Sequence, residues 1–234
     1  MTSGNGLAVA LDTTSVDQAR LWAQQVAPHA DVLKLGLEFY LRNGAEGVLQ
    51  VRQAAPECGL FLDLKLHDIP ATVGGGARAV SGLRPDILTV HAAGGAAMIA
   101  AAAAELPDTA IAAVTVLTSL DSKELGRLGL PGSNELVPLW AGAAVEAGAR
   151  AVVASAQEAQ SLRAALGPVP TLITPGIRPI GAGTDDQARI TTPTVAIADG
   201  ADVLVVGRPI TTAPNPGAAA AEIAAEISAA RDAS

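Results

Sequence analysis

Eight short apolar runs recur along the chain, separated by longer stretches with helical spacing. They are LAVAL (7–11), VLKLGL (32–37), LFLDLKL (60–66), ILTV (87–90), AIAAVTVL (110–117), AVVAS (151–155), TLITPG (171–176) and VLVVG (203–207). Strands covered on both faces read as continuous apolar runs, whereas half-exposed strands alternate. The runs are therefore expected to be buried parallel strands. Candidate helices between them include 16–26, 135–147 and 156–166; Ser15 is placed to cap the first, and Gly148 follows the last turn of the second. Eight strands alternating with helices predict an α/β fold of the (β/α)8 TIM-barrel type. A doubly wound sheet has the same ingredients, but no glycine-rich dinucleotide fingerprint follows the first run. No linker and no internal repeat interrupts the pattern, so residues 1–234 are expected to form a single domain.

The chain's 234 residues suffice for one such barrel. Half of them are hydrophobic and only 2% are aromatic, so a large core must be built from small aliphatic side chains. The net charge of −8 argues against nucleic acid as the main partner. It leaves room for an anionic small molecule, because a pocket's local field can oppose the overall sign. Cys58 is the single cysteine, so no internal disulfide can form and a reducing compartment is the default. The polar MTSGNG start lacks a basic segment, and neither LAVALD nor the Ala-rich run 96–104 has the length of a membrane span. A cytoplasmic protein with no membrane partner is expected.

In a barrel of this kind, chemistry gathers at the carboxyl ends of the strands. Those ends carry Asp12, Lys34, Asp63 with Lys65, His91, Thr118, Ser155, Arg178 and Arg208. Charged groups beside apolar strands are costly unless paired. Their shared position makes a common site the better reading than scattered ion pairs.

The stretch FLDLKLHDIP (61–70) concentrates this pattern. Strand alternation turns Asp63, Lys65 and His67 to one face and Leu62, Leu64 and Leu66 to the other. An inward Asp63 and Lys65 would meet near the barrel mouth. A lysine flanked by the carboxylates of Asp63 and Asp68 stays protonated, which makes it a fixed cation and an acid. Lys34, on the preceding strand, can complete an alternating chain of charges. Simpler roles exist for each residue. Asp68 can cap a helix starting at Ile69, with Pro70 in its first turn. Asp63 and Lys65 can form a structural ion pair, and Asp12 can close a turn. His67 is read as a packing or hydrogen-bonding residue, and His91 and Ser155 as supports standing behind the site.

A second signal lies in the loops after strands seven and eight. In PGIRPIGAGTDDQARI (175–190), Gly176, Gly181 and Gly183 leave backbone amides exposed, and Arg178 adds a planar cation. VVGRPI places Gly207 and Arg208 at the opening of the final helical segment. Loops in these positions commonly hold a phosphate. The long irregular segments 119–134 and 176–187 both follow predicted strands, where mobile loops would close over a ligand.

These residues carry a family resemblance. FLDLKLHDIPATV resembles the signature of the orotidine 5′-phosphate decarboxylases. The likeness extends in order through VALD with Asp12, VLKLGLEFY with Lys34, TVLTSL with Thr118, TPGIRP with Arg178, DDQARI with Gln187, and VVGRPI with Gly207 and Arg208. It differs from many members in having Ala71 where they have Asn, and in a glycine run at 74–76 that weighs against a regular helix there. The resemblance implies a homodimeric (β/α)8 barrel, needing neither metal nor organic cofactor, that converts orotidine 5′-phosphate (OMP) to UMP and CO2. It implies that Lys65 is the catalytic lysine and that Asp63 stands beside the substrate carboxylate. It assigns Asp12 and Lys34 to the ribose hydroxyls, with Lys34 also in the charge network, and Thr118 to the pyrimidine. Gln187, Arg178, Gly207 and Arg208 would grip the phosphate. Asp68, Ile69 and Thr72 would reach into the neighbouring subunit's site. Two rivals share parts of this pattern: a magnesium-dependent barrel enzyme for sugar phosphates, such as 3-keto-gulonate 6-phosphate decarboxylase or hexulose-phosphate synthase, and a non-catalytic nucleotide sensor.

Overall fold

All eight apolar runs form strands: β1 (Leu7–Ala10), β2 (Val32–Gly36), β3 (Gly59–Leu66), β4 (Ile87–His91), β5 (Ala110–Val114), β6 (Ala151–Val153), β7 (Thr171–Thr174) and β8 (Val203–Val206). They pair in parallel in chain order, and β8 returns to β1 through Leu7 opposite Leu204 and Val9 opposite Val206. The sheet is thus closed and a doubly wound open sheet is excluded. The structure is a computed structural model that describes residues 4–179 and 191–233.

Helices cover the barrel: α1 (Val16–Val26), α2 (Leu37–Ala54), α3 (Pro70–Val80), α4 (Ala96–Glu105), α5 (Ser122–Arg127), α6 (Ser133–Glu146), α7 (Ala156–Leu166), α8 (Pro193–Ala198), α9 (Arg208–Thr211) and α10 (Pro216–Asp232). Local chemistry sets their starts. Ser15 accepts a hydrogen bond from the Gln18 N–H at 3.2 Å and caps α1. Pro70 occupies the first turn of α3, where its missing N–H costs nothing. Asp121 caps α5 by accepting from the Glu124 N–H at 2.8 Å, so the expected irregular segment 119–134 contains a short helix. The glycine run 74–76 does not interrupt α3. Val73, Gly74, Ala77 and Val80 form its buried face, and Gly74 lies against Ala101 of α4. Tertiary packing there outweighs glycine's weak helix propensity. The break falls instead in α2, where Gly44 has φ +61° and kinks the helix.

The strands sort their residues by alternation. Ala8, Ala10, Val32, Phe61, Ile87, Ala110, Ala112, Ala151, Ile173, Val203 and Val205 fill the barrel interior. Their neighbours Leu7, Val9, Leu33, Leu60 and Leu62 pack outward against the helices. With so few aromatics in the chain, Phe61 is the one large ring in that interior, and alanines supply much of the rest. The interior apolar plug ends below the strand ends, and the charged residues begin there.

Candidate active site

Register places the first charged pair. Lys34 on β2 stands beside Phe61, and one step up Gly36 stands beside Asp63. Asp63 therefore emerges directly above the Phe61 plug, facing inward. Lys65 follows, but not through regular pleating. Leu62 pairs with Leu88 and Leu66 with Val90, so three β3 residues bulge opposite Thr89 alone. Within the bulge Lys65 takes φ +49°, a left-handed conformation unusual for a lysine. Leu62, Leu64 and Leu66 still pack outward, as alternation requires. His67 lies beyond the strand and is exposed.

The side chains form an alternating chain of charge. The Lys34 ammonium lies 3.1 Å from Asp12 Oδ1 and 3.3 Å from Asp63 Oδ2, and the Lys65 ammonium lies 2.7 Å from Asp63 Oδ1. Lys34 and Asp63 are 10% and 13% exposed, whereas Lys65 retains 38%, so the last ammonium of the chain is the more open of the two to a ligand. Burial alone would lower the Lys34 pKa, but Asp63 and then Asp12 outweigh it and raise the ammonium above its ordinary value. Burial alone would raise Asp63; Lys34 and Lys65 outweigh it, hydrogen bonds from Lys65 and Thr89 add to them, and the carboxyl ends below its ordinary value.

A cavity of about 320 Å³ opens over these groups. Asp12, Lys34, Asp63, Lys65, Thr118, Arg178, Gly207 and Arg208 all line it. Arg178 is 7% exposed, and its N–H donates to the Thr191 carbonyl at 2.9 Å, tying the segment after β7 to the start of α8. Gln187 lies outside the described residues, as do Gly181 and Gly183.

Two expectations change. Ser155 does not stand behind the site but lines the cavity, although it is only 1% exposed. Its backbone N–H donates to Glu158 Oε2 at 2.9 Å, and the Ser155–Glu158 pair forms a capping box at the start of α7. Its place at the end of β6 is the signal that could have promoted it. Asp68 neither caps α3 nor contacts Lys65 within the chain. The helix begins at Pro70 with Ile69 as the cap residue, and Asp68 Oδ1 accepts from the adjacent Ile69 N–H at 2.6 Å. Asp63 is the only acid paired with Lys65 among the described residues. Asp68, Ile69 and Thr72 are exposed outside the cavity, with Ile69 65% exposed. His91 sits beside His67, ring centroids 5.2 Å apart, and does not line the cavity.

A closed (β/α)8 barrel with ionised side chains gathered at the carboxyl ends of its strands is the architecture of a barrel enzyme. Residues 5–223 match the model of the orotidine 5′-phosphate decarboxylase / HUMPS family. A protein of Thermobifida fusca (strain YX) named orotidine 5′-phosphate decarboxylase is 61% identical over 94% of this chain and 95% of its own length. One of the same name from Frankia casuarinae is 52% identical over 96% of this chain and 88% of its own. The crystal structure of orotidine 5′-phosphate decarboxylase from Lactobacillus acidophilus superposes with a TM-score of 0.83 at 34% identity, covering 94% of this chain and 98% of that one. The chain belongs to the orotidine 5′-phosphate decarboxylase / HUMPS family. Among the described residues no helix is long and apolar enough to cross a membrane.

Proposed function

We propose that the chain is a carboxy-lyase that decarboxylates OMP to UMP in pyrimidine biosynthesis, through a carbon-6 carbanion stabilised and protonated by Lys65. The observation that carries this reading is the alternating Asp12–Lys34–Asp63–Lys65 chain, ending in an ammonium at the cavity. The relatives at 61% and 52% identity, both named orotidine 5′-phosphate decarboxylase, support the choice of substrate.

The chemistry needs little besides placed charge. The bond between carbon 6 and the carboxylate breaks with its electron pair left on carbon 6, and CO2 departs. That pair lies in the plane of the ring, so the pyrimidine carbonyls do not delocalise it. Lys65 is the fixed cation where the charge appears, and Asp63 holds it there without a reorganisation step. An ion pair at 4 Å and an effective dielectric of 20 is worth about 4 kcal/mol, roughly three powers of ten in rate. The Lys65 ammonium then gives its proton to carbon 6, and solvent reprotonates the amine. Asp63 stands where the substrate carboxylate arrives, and Asp12 and Lys34 stand where ribose hydroxyls can bond to them. Thr118 faces the base. Arg178, Gly207 and Arg208 form the phosphate grip, with Gln187 assigned to it from the sequence.

We infer that two copies pair through the exposed 67–72 segment, carrying Asp68, Ile69 and Thr72 to the other copy's cavity. A 65% exposed Ile69 beside the barrel mouth favours that surface. A cytoplasmic setting fits the lone Cys58, a buried thiol pushed up to about 11 by burial, with Glu57 and Asp31 adding to the shift. The deciding experiment is a spectrophotometric assay with OMP after exhaustive chelation. Full turnover is expected; loss of turnover that returns with magnesium, or turnover of a sugar phosphate in its place, would overturn the reading.

A further inference from the structure

Thr89 is the one polar residue between the ends of a strand otherwise built from Ile87, Leu88 and Val90, and it is 1% exposed. It faces the barrel interior with Ile87, one layer higher, at the level of Asp63. The β3 bulge opposes three residues to Thr89 alone, which takes the Lys65 N–H out of the regular ladder register. A buried N–H without a partner is costly. Thr89 Oγ1 supplies the partner, accepting from the Lys65 N–H at 2.9 Å. The same hydroxyl donates to Asp63 Oδ1 at 3.0 Å, the oxygen that also receives the Lys65 ammonium. One hydroxyl is both acceptor and donor, so the two bonds are compatible.

Building on the decarboxylase reading, we propose that Thr89 is a positioning residue. Its hydroxyl locks the left-handed Lys65 backbone to the Asp63 carboxylate, so that ammonium and acid meet the substrate as one rigid unit. Valine would fill the same space and suits a strand equally well. The hydroxyl is therefore present for these two bonds and not for packing. A strained backbone at an active site persists only where its surroundings over-determine it, and Thr89 is the tie that does so for Lys65. Catalysis by preorganised charge is sensitive to small displacements of that charge.

The test compares wild type, Thr89→Val and Thr89→Ser with OMP, alongside UMP binding and amide hydrogen exchange. Wild-type turnover of OMP tests the decarboxylase reading by itself; the variant-to-wild-type ratios and the Lys65 amide test Thr89. Thr89→Val is expected to lower kcat by about tenfold or more with KM changed less than about threefold, the signature of a contact that matters in the transition state. UMP should bind as before. The acid limb of kcat/KM should move to higher pH, since the carboxylate loses a donor that favours its ionised form. Exchange of the Lys65 amide should speed up. Thr89→Ser should restore kcat, the acid limb and the protection of the Lys65 amide. A Thr89→Val enzyme with wild-type kcat, or an unchanged Lys65 amide, would overturn the proposal. A Thr89→Ser enzyme as slow as Thr89→Val would overturn it too, by tracing the loss to the methyl group. Should Thr89→Val not fold, Thr89→Ala against Thr89→Ser reads the same hydroxyl with the same outcomes.

Discussion

At the amino-terminal end of the barrel, Asp31, Asp86 and Asp202 each stand one residue before a strand. Each accepts from a backbone N–H at the start of the preceding strand: Gly6 at 2.5 Å, Leu60 at 2.8 Å and Leu172 at 2.7 Å. At the carboxyl-terminal end, Asp12 and Asp63 accept instead from the ammonium groups of Lys34 and Lys65. Both ends use aspartates, but the lower ones bond to parts of the backbone that cannot leave, and Arg163, the cation paired with Asp202, is itself tied to the backbone carbonyls of Gly167, Pro170 and Gly200. The upper ones hold cations on flexible stems, and the last of those cations faces a cavity. The same residue type thus closes the sheet at one end and stores charge for a ligand at the other.

This contrast breaks most sharply at Lys65. Lys65→Ala is expected to lower kcat by at least about a thousandfold, from the roughly 4 kcal/mol assigned to its charge, while thermal unfolding stays close to wild type. Near-normal turnover of OMP by that variant would remove the proposed role of the ammonium. Arg208→Ala acts at the same end, at a distance from the bond that breaks. It is expected to raise KM about tenfold or more with a smaller loss in kcat, as removal of a charge-assisted phosphate contact should. Unchanged steady-state kinetics would dissolve the phosphate assignment.

The two ends were also unequally legible. Every strand could be read from its apolar run, because burial on both faces leaves no other pattern. The strand-end charges could be placed together because topology alone brings strand ends to one rim. What could not be read was anything set by the register between neighbours. Lys65's left-handed backbone exists because β3 and β4 slip past one another between Leu62 and Leu66, and FLDLKL looks like any alternating strand. Thr89 for the same reason reads as an ordinary β-branched residue in ILTV, its two hydrogen bonds depending on a bulge in another strand. That Ser155 lines the cavity depends on how β6 ends. Closeness in sequence pairs Asp68 with Lys65, yet Asp68 bonds instead to the Ile69 N–H just before α3.

The lower end supplies the reverse experiment. Asp86→Ala removes the acceptor for the Leu60 N–H and touches nothing at the cavity. Its expected cost is about 1 kcal/mol, one net hydrogen bond, or about 2–4 °C in Tm for a chain of this size, with kcat and KM unchanged. A fall in kcat without loss of Tm would show that the two ends are coupled through β3 and β4, and the division drawn above would fail.

The smallest effect is expected where the rim charges meet the histidines. His91 has its pKa lowered by burial first, then by His67 and Lys65, with Asp63 opposing. A histidine whose folded pKa lies below its unfolded value binds fewer protons folded than unfolded on the acid side of neutrality. Its contribution is full above the unfolded value near 6.5 and declines as the pH falls below it. Burial is the largest cause, and a protonated imidazole there would also stand beside His67 and the Lys65 ammonium. His91→Asn removes that penalty, so its Tm should fall less than wild type's between neutral and mildly acidic pH, while the two proteins differ little above pH 7. Parallel Tm curves across the whole range would mean that the imidazole takes up a proton as readily in the folded chain as in the unfolded one, opposed neither by burial nor by the cations of the rim. The rim's stored charge would then stop at the cavity, and its contrast with the backbone-bound aspartates below would rest on geometry alone.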